Sequence, residues 1–229
     1  MSQQTDRAGA TAGRRKGTQG LRLADQAYLR IRDDIITVRL EPGDPLDEKT
    51  LSAELGLGLT PVRDALKRLT LERLAVIYPR RGTFVTDINI SDERWLTEIR
   101  IELEGAAAAL AAERATDEEV AALTDLALRL DDGGGRSDMS LDYLSLDTEI
   151  HRTIYAAAHN PYLEDSLNQF ANLAQRIWHY GIKRMRPRAP RSCSQNDVVA
   201  AIRDRAPERA RAAAQAHLRG FSEEVRSLL

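Results

Sequence analysis

The pattern of the chain changes character near Ile90. Before it, short stretches of helical periodicity alternate with turn residues and two β-prone segments; after it the strand signals vanish and only helical ones continue. That break predicts a mainly α protein in two parts, a small head with a hairpin followed by an all-helical body. At 229 residues the chain is long enough for each part to bury a core of its own.

In the head, Ala24, Ala27, Tyr28, Ile31 and Ile35 recur at helical spacing between Leu23 and Val38, and Glu41-Pro42-Gly43-Asp44 ends that helix in a turn. A second helix is predicted from the N-cap Asp47 through Leu51 and Leu55, with Gly56 and Gly58 allowing a tight turn. A third starts near Thr60-Pro61, where the missing proline N–H is harmless. It gathers Val62, Ala65, Leu66 and Leu69 on one face and leaves Arg63, Lys67 and Arg68 on the remainder. Ala75–Tyr78 and Thr83–Val85 flank Pro79-Arg80-Arg81-Gly82 as a small hairpin. Three helices, a tight turn before the third and a basic hairpin after it make a winged helix-turn-helix over residues 21–87, its third helix suited to the major groove. Arg63 and Lys67, one turn apart, supply the cations and donors that DNA demands, and Arg81 with Gly82 at the hairpin tip suits phosphates or the minor groove.

The body, residues 92–229, reads as a bundle of six or seven helices. Ser91 is expected to cap a helix running to about Arg114, and Thr116 with Glu119 forms a capping box for the next. Asp131–Asp138, with three consecutive glycines, reads as a flexible connection. Further helices are expected from about Ser140 to Asn160, from Pro161 to about Arg184, from Gln195 to Arg205 and from Pro207 to Leu228, with a loop over Arg186–Ser194. Asp147 and His151 share one face of their helix and can chelate a single ion.

Composition narrows the setting. Residues 1–90, the arm included, carry 15 Lys+Arg against 12 Asp+Glu, so the overall net charge of -2 conceals a mildly basic front of +3 and an acidic remainder of -5, as expected of a DNA-binding front on a non-binding body. The longest apolar run, Gly105 to Ala112, is far short of the roughly 18 residues that a membrane span needs. Residues 1–20 hold Arg14, Arg15 and Lys16 without an apolar segment behind them and read as a disordered basic arm rather than a secretory signal. The single Cys193 excludes an internal disulfide framework and a Cys-type zinc site, which fits a cytoplasmic protein.

Two resemblances sharpen these expectations. Leu46-x4-Leu51-x3-Leu55-Gly56, then Thr60-Pro61-Val62-Arg63-Asp64-Ala65-Leu66-x2-Leu69, then Pro79-x-Arg81-Gly82-Thr83-Phe84-Val85 resembles the DNA-binding domain of the GntR regulators. The resemblance implies a homodimer on a palindromic double-stranded operator, more often a repressor, with contacts at Lys49, Thr60, Arg63, Arg81 and Gly82, beside Lys67. Where that family has Ser or Thr followed by Arg, this chain has Gly58 and Leu59. A helix-capping hydroxyl and a guanine-reading guanidinium are both gone, and Leu59 would instead meet a thymine methyl.

Arg100-x2-Leu103-Glu104-x2-Ala107, Asp147-x3-His151, Ala156-Ala157-x2-Asn160-Pro161, Ala201-Ile202 and Ala210-x6-His217-Leu218 resemble the FCD effector domain of the FadR-like branch. In that domain an Asp and three His hold a divalent metal, beside which a small carboxylate or sugar-acid effector binds. The resemblance places Asp147, His151 and His217 at three ligand positions and Gln195 at the fourth, where the family has His. Two readings stay open at Gln195: a weak Zn or Ni site completed by the effector carboxylate, or a metal-free cavity in which these residues serve as hydrogen-bond partners. Arg100 has two readings as well, carboxylate capture in the cavity or a pair with Glu104 at i+4. His159 and His179 are expected to be packing or surface residues. The rivals to a transcription regulator are a metal-dependent enzyme using Asp147, His151 and His217, and a ligand-binding protein with degenerate DNA reading.

Overall fold

The computed structural model of the protein describes residues 20–133, 141–185 and 195–228, and its chain divides after Asp87 into two compact units. Nearly all of the basic arm, Gly134–Asp138 and the Arg186–Ser194 segment lie outside the described residues.

The first unit contains α1 (Leu23–Ile36), α2 (Glu48–Leu55), α3 (Leu59–Leu71), β1 (Ala75–Tyr78) and β2 (Gly82–Val85). The apolar stripe of α1 is buried as its spacing requires, at Ala27, Tyr28, Ile31 and Ile35, and packs on Val62, Ala65, Leu66 and Leu69 of α3. Asp47 caps α2, its carboxylate accepting from the Thr50 N–H at 2.8 Å. Gly56 closes the helix in the left-handed region (φ 66°), where glycine carries no Cβ penalty, while Gly58 is extended and uses no such freedom. The strands pair antiparallel from Ala75 opposite Val85 to Tyr78 opposite Gly82. A strap ahead of α2 extends this hairpin: Leu46 N–H donates to Thr83 C=O at 2.8 Å, and Val85 N–H to Asp44 C=O at 2.9 Å.

The second unit holds six helices among the described residues: α4 (Asp92–Arg114), α5 (Asp117–Gly133), α6 (Leu141–Ala157), α7 (Pro161–Met185), α8 (Asn196–Arg203) and α9 (Pro207–Leu228). The long α4 is the hub, packing against α6, α7, α8 and most extensively α9. Its buried alanines, Ala107, Ala108, Ala111 and Ala112, let those neighbours approach closely.

Local expectations fail at several helix ends. Ser91 stands at the N-cap position but is already helical (φ -63°, ψ -21°), so its hydroxyl makes no cap bond. Asn89 acts in its place, its Oδ1 accepting from the Ser91 N–H at 3.1 Å and its Nδ2 donating to Asp92 at 3.1 Å. The connection expected from Asp131 begins later, because α5 continues to Gly133: Leu130 is buried and Asn196 donates to the Asp131 carboxylate, which holds the last turn in place. The Thr116/Glu119 capping box forms, with reciprocal bonds of 2.8 and 3.2 Å. Gln195 is the N-cap residue of α8 rather than its first helical residue, and that helix ends at Arg203.

Candidate functional site, a buried donor cluster and an exposed cationic helix face

Asp147 and His151 project from successive turns of α6, His217 comes from α9, and all three are buried. Their ligand atoms lie within 4.8 Å of one another. At the centre stands the Gln195 amide: its Nε2 donates to Asp147 Oδ1 at 3.0 Å and lies 2.9 Å from both His151 Nε2 and His217 Nε2. Four residues, from two helices and the N-cap of a third, therefore converge on one point inside the bundle.

A further layer sits behind His151. Its Nδ1 is 2.7 Å from Glu104 Oε2, so a neutral ring with a proton on Nδ1 turns the Nε2 lone pair toward the cluster. Glu104 is held in turn by Arg100, one turn earlier on α4, at 2.7 Å. The Arg100 guanidinium also lies 5.2 Å from the ring of Trp178, and its Nη1 is buried without a partner among the described residues. The pair with Glu104 at i+4 is one of the two readings that the sequence leaves open for Arg100, and it forms. Only 2% and 4% of the two side chains are exposed, so the pair is the charged support of the cluster.

Electrostatics follow from that arrangement. Burial pushes the Glu104 carboxyl up, but Arg100 and His151 outweigh it and hold the group at about 2. Burial works against the Arg100 charge and is overcome by Glu104 and then Tyr155, leaving the guanidinium above its usual range. At His151 burial favours the neutral ring, while Glu104 and Asp147 raise the imidazole above its ordinary value. His217 is driven the other way, down to about 4, by burial only partly countered by Asp147, and a neutral imidazole is the form that ligates metal. The Tyr155 phenol, buried beside Glu104 one turn after His151, is raised well above the usual range. Glu104 and Tyr155 escaped sequence reasoning as site residues. The signal available was spacing, since Tyr155 continues the i, i+4 series of Asp147 and His151.

In the head, Lys49 on α2 and Thr60, Arg63 and Lys67 on α3 are all exposed. Arg63 is 2.6 Å from Glu48, and Lys67 is 3.3 Å from Asp64. Exposed pairs of this kind contribute about 0–1 kcal/mol, so either cation is readily surrendered to a phosphate. Arg81 and Gly82 sit at the wing tip, exposed, with Gly82 at φ 103° and Arg81 5.7 Å from the Tyr78 ring. Arg68 is committed elsewhere, stacked 3.6 Å over Tyr28 and bonded to Glu72. Leu59 opens α3 with 38% exposure, and Gly58 before it offers no side-chain cap. His159 is exposed beside Glu119 at 3.0 Å, and neither it nor His179 joins the cluster.

Comparison with known proteins meets this geometry in both units. The FCD domain matches residues 95–220, more than half of the chain, and the description "Bacterial regulatory proteins, gntR family" matches residues 23–85. The chain belongs to the GntR family. This GntR regulator is 26% identical over 203 residues to the HTH-type transcriptional repressor RspR of Escherichia coli K12, covering 89% of both chains. It is 33% identical over 142 residues to the Nta operon transcriptional regulator of Aminobacter aminovorans, a match spanning 62% of this chain and 65% of that protein. The solved structure of E. coli McbR/YncC superposes with a TM-score of 0.75 at 25% identity, over 90% of this chain and 99% of the other. GntR regulators of this FCD type are transcription regulators, not enzymes, which removes the metal-dependent enzyme from consideration. Among the described residues no helix is long and apolar enough to cross a membrane.

Proposed function

We propose that this GntR regulator is a cytoplasmic homodimer that represses transcription from a palindromic operator and is released by a small carboxylate or sugar-acid metabolite. The head, residues 21–87, reads DNA through Lys49, Thr60, Arg63 and Lys67, with Arg81 and Gly82 of the wing on the backbone. The helical domain, residues 92–229, takes the effector. The observation that carries this reading is the convergence of Asp147, His151 and His217 on a single buried point, in a chain whose other unit is a winged helix-turn-helix.

The donor set fits a divalent ion. One carboxylate and two imidazoles suit Zn or Ni, His151 is oriented through its other nitrogen by a carboxylate, and three ligand atoms face an amide that has only two N–H groups. Asp147, His151 and His217 would hold the ion, which supplies an electrophilic anchor for the effector carboxylate. Arg100 supports the same chemistry, because its buried, unpartnered Nη1 can donate to a carboxylate once the effector is in place. Effector binding shifts the population of domain packings, and operator affinity falls by the coupling between the two equilibria.

The test is to select binding sites from random duplexes, then follow the best of them by fluorescence anisotropy while titrating small carboxylic acids with and without zinc. Selective binding that an acid weakens is the expected result. Arg63→Ala should abolish selectivity with helical content unchanged. Binding without sequence preference and with a steep salt slope would show a head that no longer reads DNA.

A further inference from the structure

The Gln195 amide nitrogen occupies the point on which the three ligand atoms converge. Its distances to them, 2.9–3.0 Å, are hydrogen-bond lengths, well beyond the roughly 2.0–2.2 Å of a zinc–nitrogen or zinc–oxygen bond. Four ligands at that bond length stand about 3.4 Å apart in a tetrahedron; His151 Nε2 and Asp147 Oδ2 are 3.6 Å apart, and the three ligand atoms lie within 4.8 Å of one another. The ligand set is therefore gathered much as a metal would need it, but Gln195 Nε2 holds the shared point, and an ion cannot take that point while Nε2 stays. The amide also cannot satisfy the cluster completely. It has two hydrogens for Asp147 Oδ1 and two imidazole nitrogens, and His217 Nδ1 has no partner among the described residues.

We infer that Gln195 is a built-in stand-in for the ion, an amide plug that holds Asp147, His151 and His217 together and that a divalent metal must displace. The inference rests on the proposed metal and effector site and goes beyond it, because it makes Gln195 a competitor of the metal rather than its fourth ligand. A neutral amide oxygen is a poor donor to Zn or Ni, so what Gln195 offers a bound ion is less than the hydrogen bonds that must break to admit it. Removing the plug then tightens metal binding even though a potential ligand is lost. A fourth-ligand role predicts the opposite sign.

The test compares wild type, Gln195→Ala and Gln195→His, each as the full chain. Zinc affinity is read by competition with a chromophoric chelator well below the melting temperature, and stability by thermal melts with and without chelator. Gln195→Ala should bind zinc about tenfold more tightly than wild type, the factor set by about 1.4 kcal/mol of hydrogen bonding no longer broken, and should melt lower in chelator. Gln195→His should bind tighter still.

A wild type that binds zinc while Gln195→Ala binds it more weakly overturns the inference alone and makes Gln195 a ligand. Absence of zinc binding in all three proteins overturns it together with the metal site. Should Gln195→Ala fail to fold, side-chain amide resonances of the wild type decide. One Gln amide pair protected from exchange in chelator should lose its protection on adding zinc, and a pair that stays protected refutes displacement.

Discussion

Tyr28 shows how much one side chain fixes in the head. Its hydroxyl donates to Glu72 at 2.7 Å and its ring carries Arg68 at 3.6 Å, which ties α1 to the end of α3. Burial and then the Glu72 carboxylate raise the phenol from 10.0 to about 12. An acid whose folded pKa is raised keeps its proton after the unfolded chain has lost it. The stabilisation is therefore complete below about 10 and disappears as the pH climbs toward 12. Tyr28→Phe should flatten that alkaline loss in urea melts and cost about 1 kcal/mol near neutrality. An unchanged alkaline profile would mean that the phenol titrates normally. Glu104→Gln acts at the same scale on the other unit. It leaves the buried Arg100 charge uncompensated, so the urea midpoint should report a loss of about 3–5 kcal/mol, and a change below about 1 kcal/mol would refute the supporting role.

At the scale of elements, Gly105 of α4 lies against Arg211 and Gln215 of α9. A Cβ there would lie 3.0 Å from Gln215 Cγ and 3.3 Å from Arg211 Cγ. Gly105→Ala should be nearly neutral, because a helix-propensity gain of about 1 kcal/mol offsets a small shift of two flexible side chains. Gly105→Val forces the helices apart and should cost about 1–3 kcal/mol, measured by thermal melts of the two variants side by side.

The elements themselves were largely legible in the sequence. Periodicity, Asp47, Gly56, the Thr116/Glu119 box and the prolines that open α7 and α9 mark most helix ends. Legibility failed where a neighbouring side chain or burial decided: Asn89 rather than Ser91 makes the bonds at the start of α4, and a buried Leu130 carries α5 through residues that look like a linker. The site follows the same division. Asp147 and His151 are visible as a helical pair and His217 through a family motif. The importance of Arg100 and Glu104 depends on burial, which an i, i+4 spacing does not reveal. That the Gln195 amide stands among the three ligand atoms is likewise a fact of folding.

Across the whole molecule, the chain forms two compact units, so each should give its own melting transition. Zinc in excess should raise the melting transition of the helical unit by mass action, about 2.7 kcal/mol at a hundred times the dissociation constant, and leave the transition of the head in place. A single transition that moves as one would show thermal coupling between the units. Operator binding should weaken steeply with salt, and Arg81→Ala should reduce that slope by about one if its guanidinium meets a phosphate. The Gln195 side chain has a consequence for descent as well as for binding. Codons for glutamine and histidine differ by one base, so a lineage can pass between an amide-filled and an ion-filled sensor in a single mutational step, with the rest of the bundle inherited unchanged.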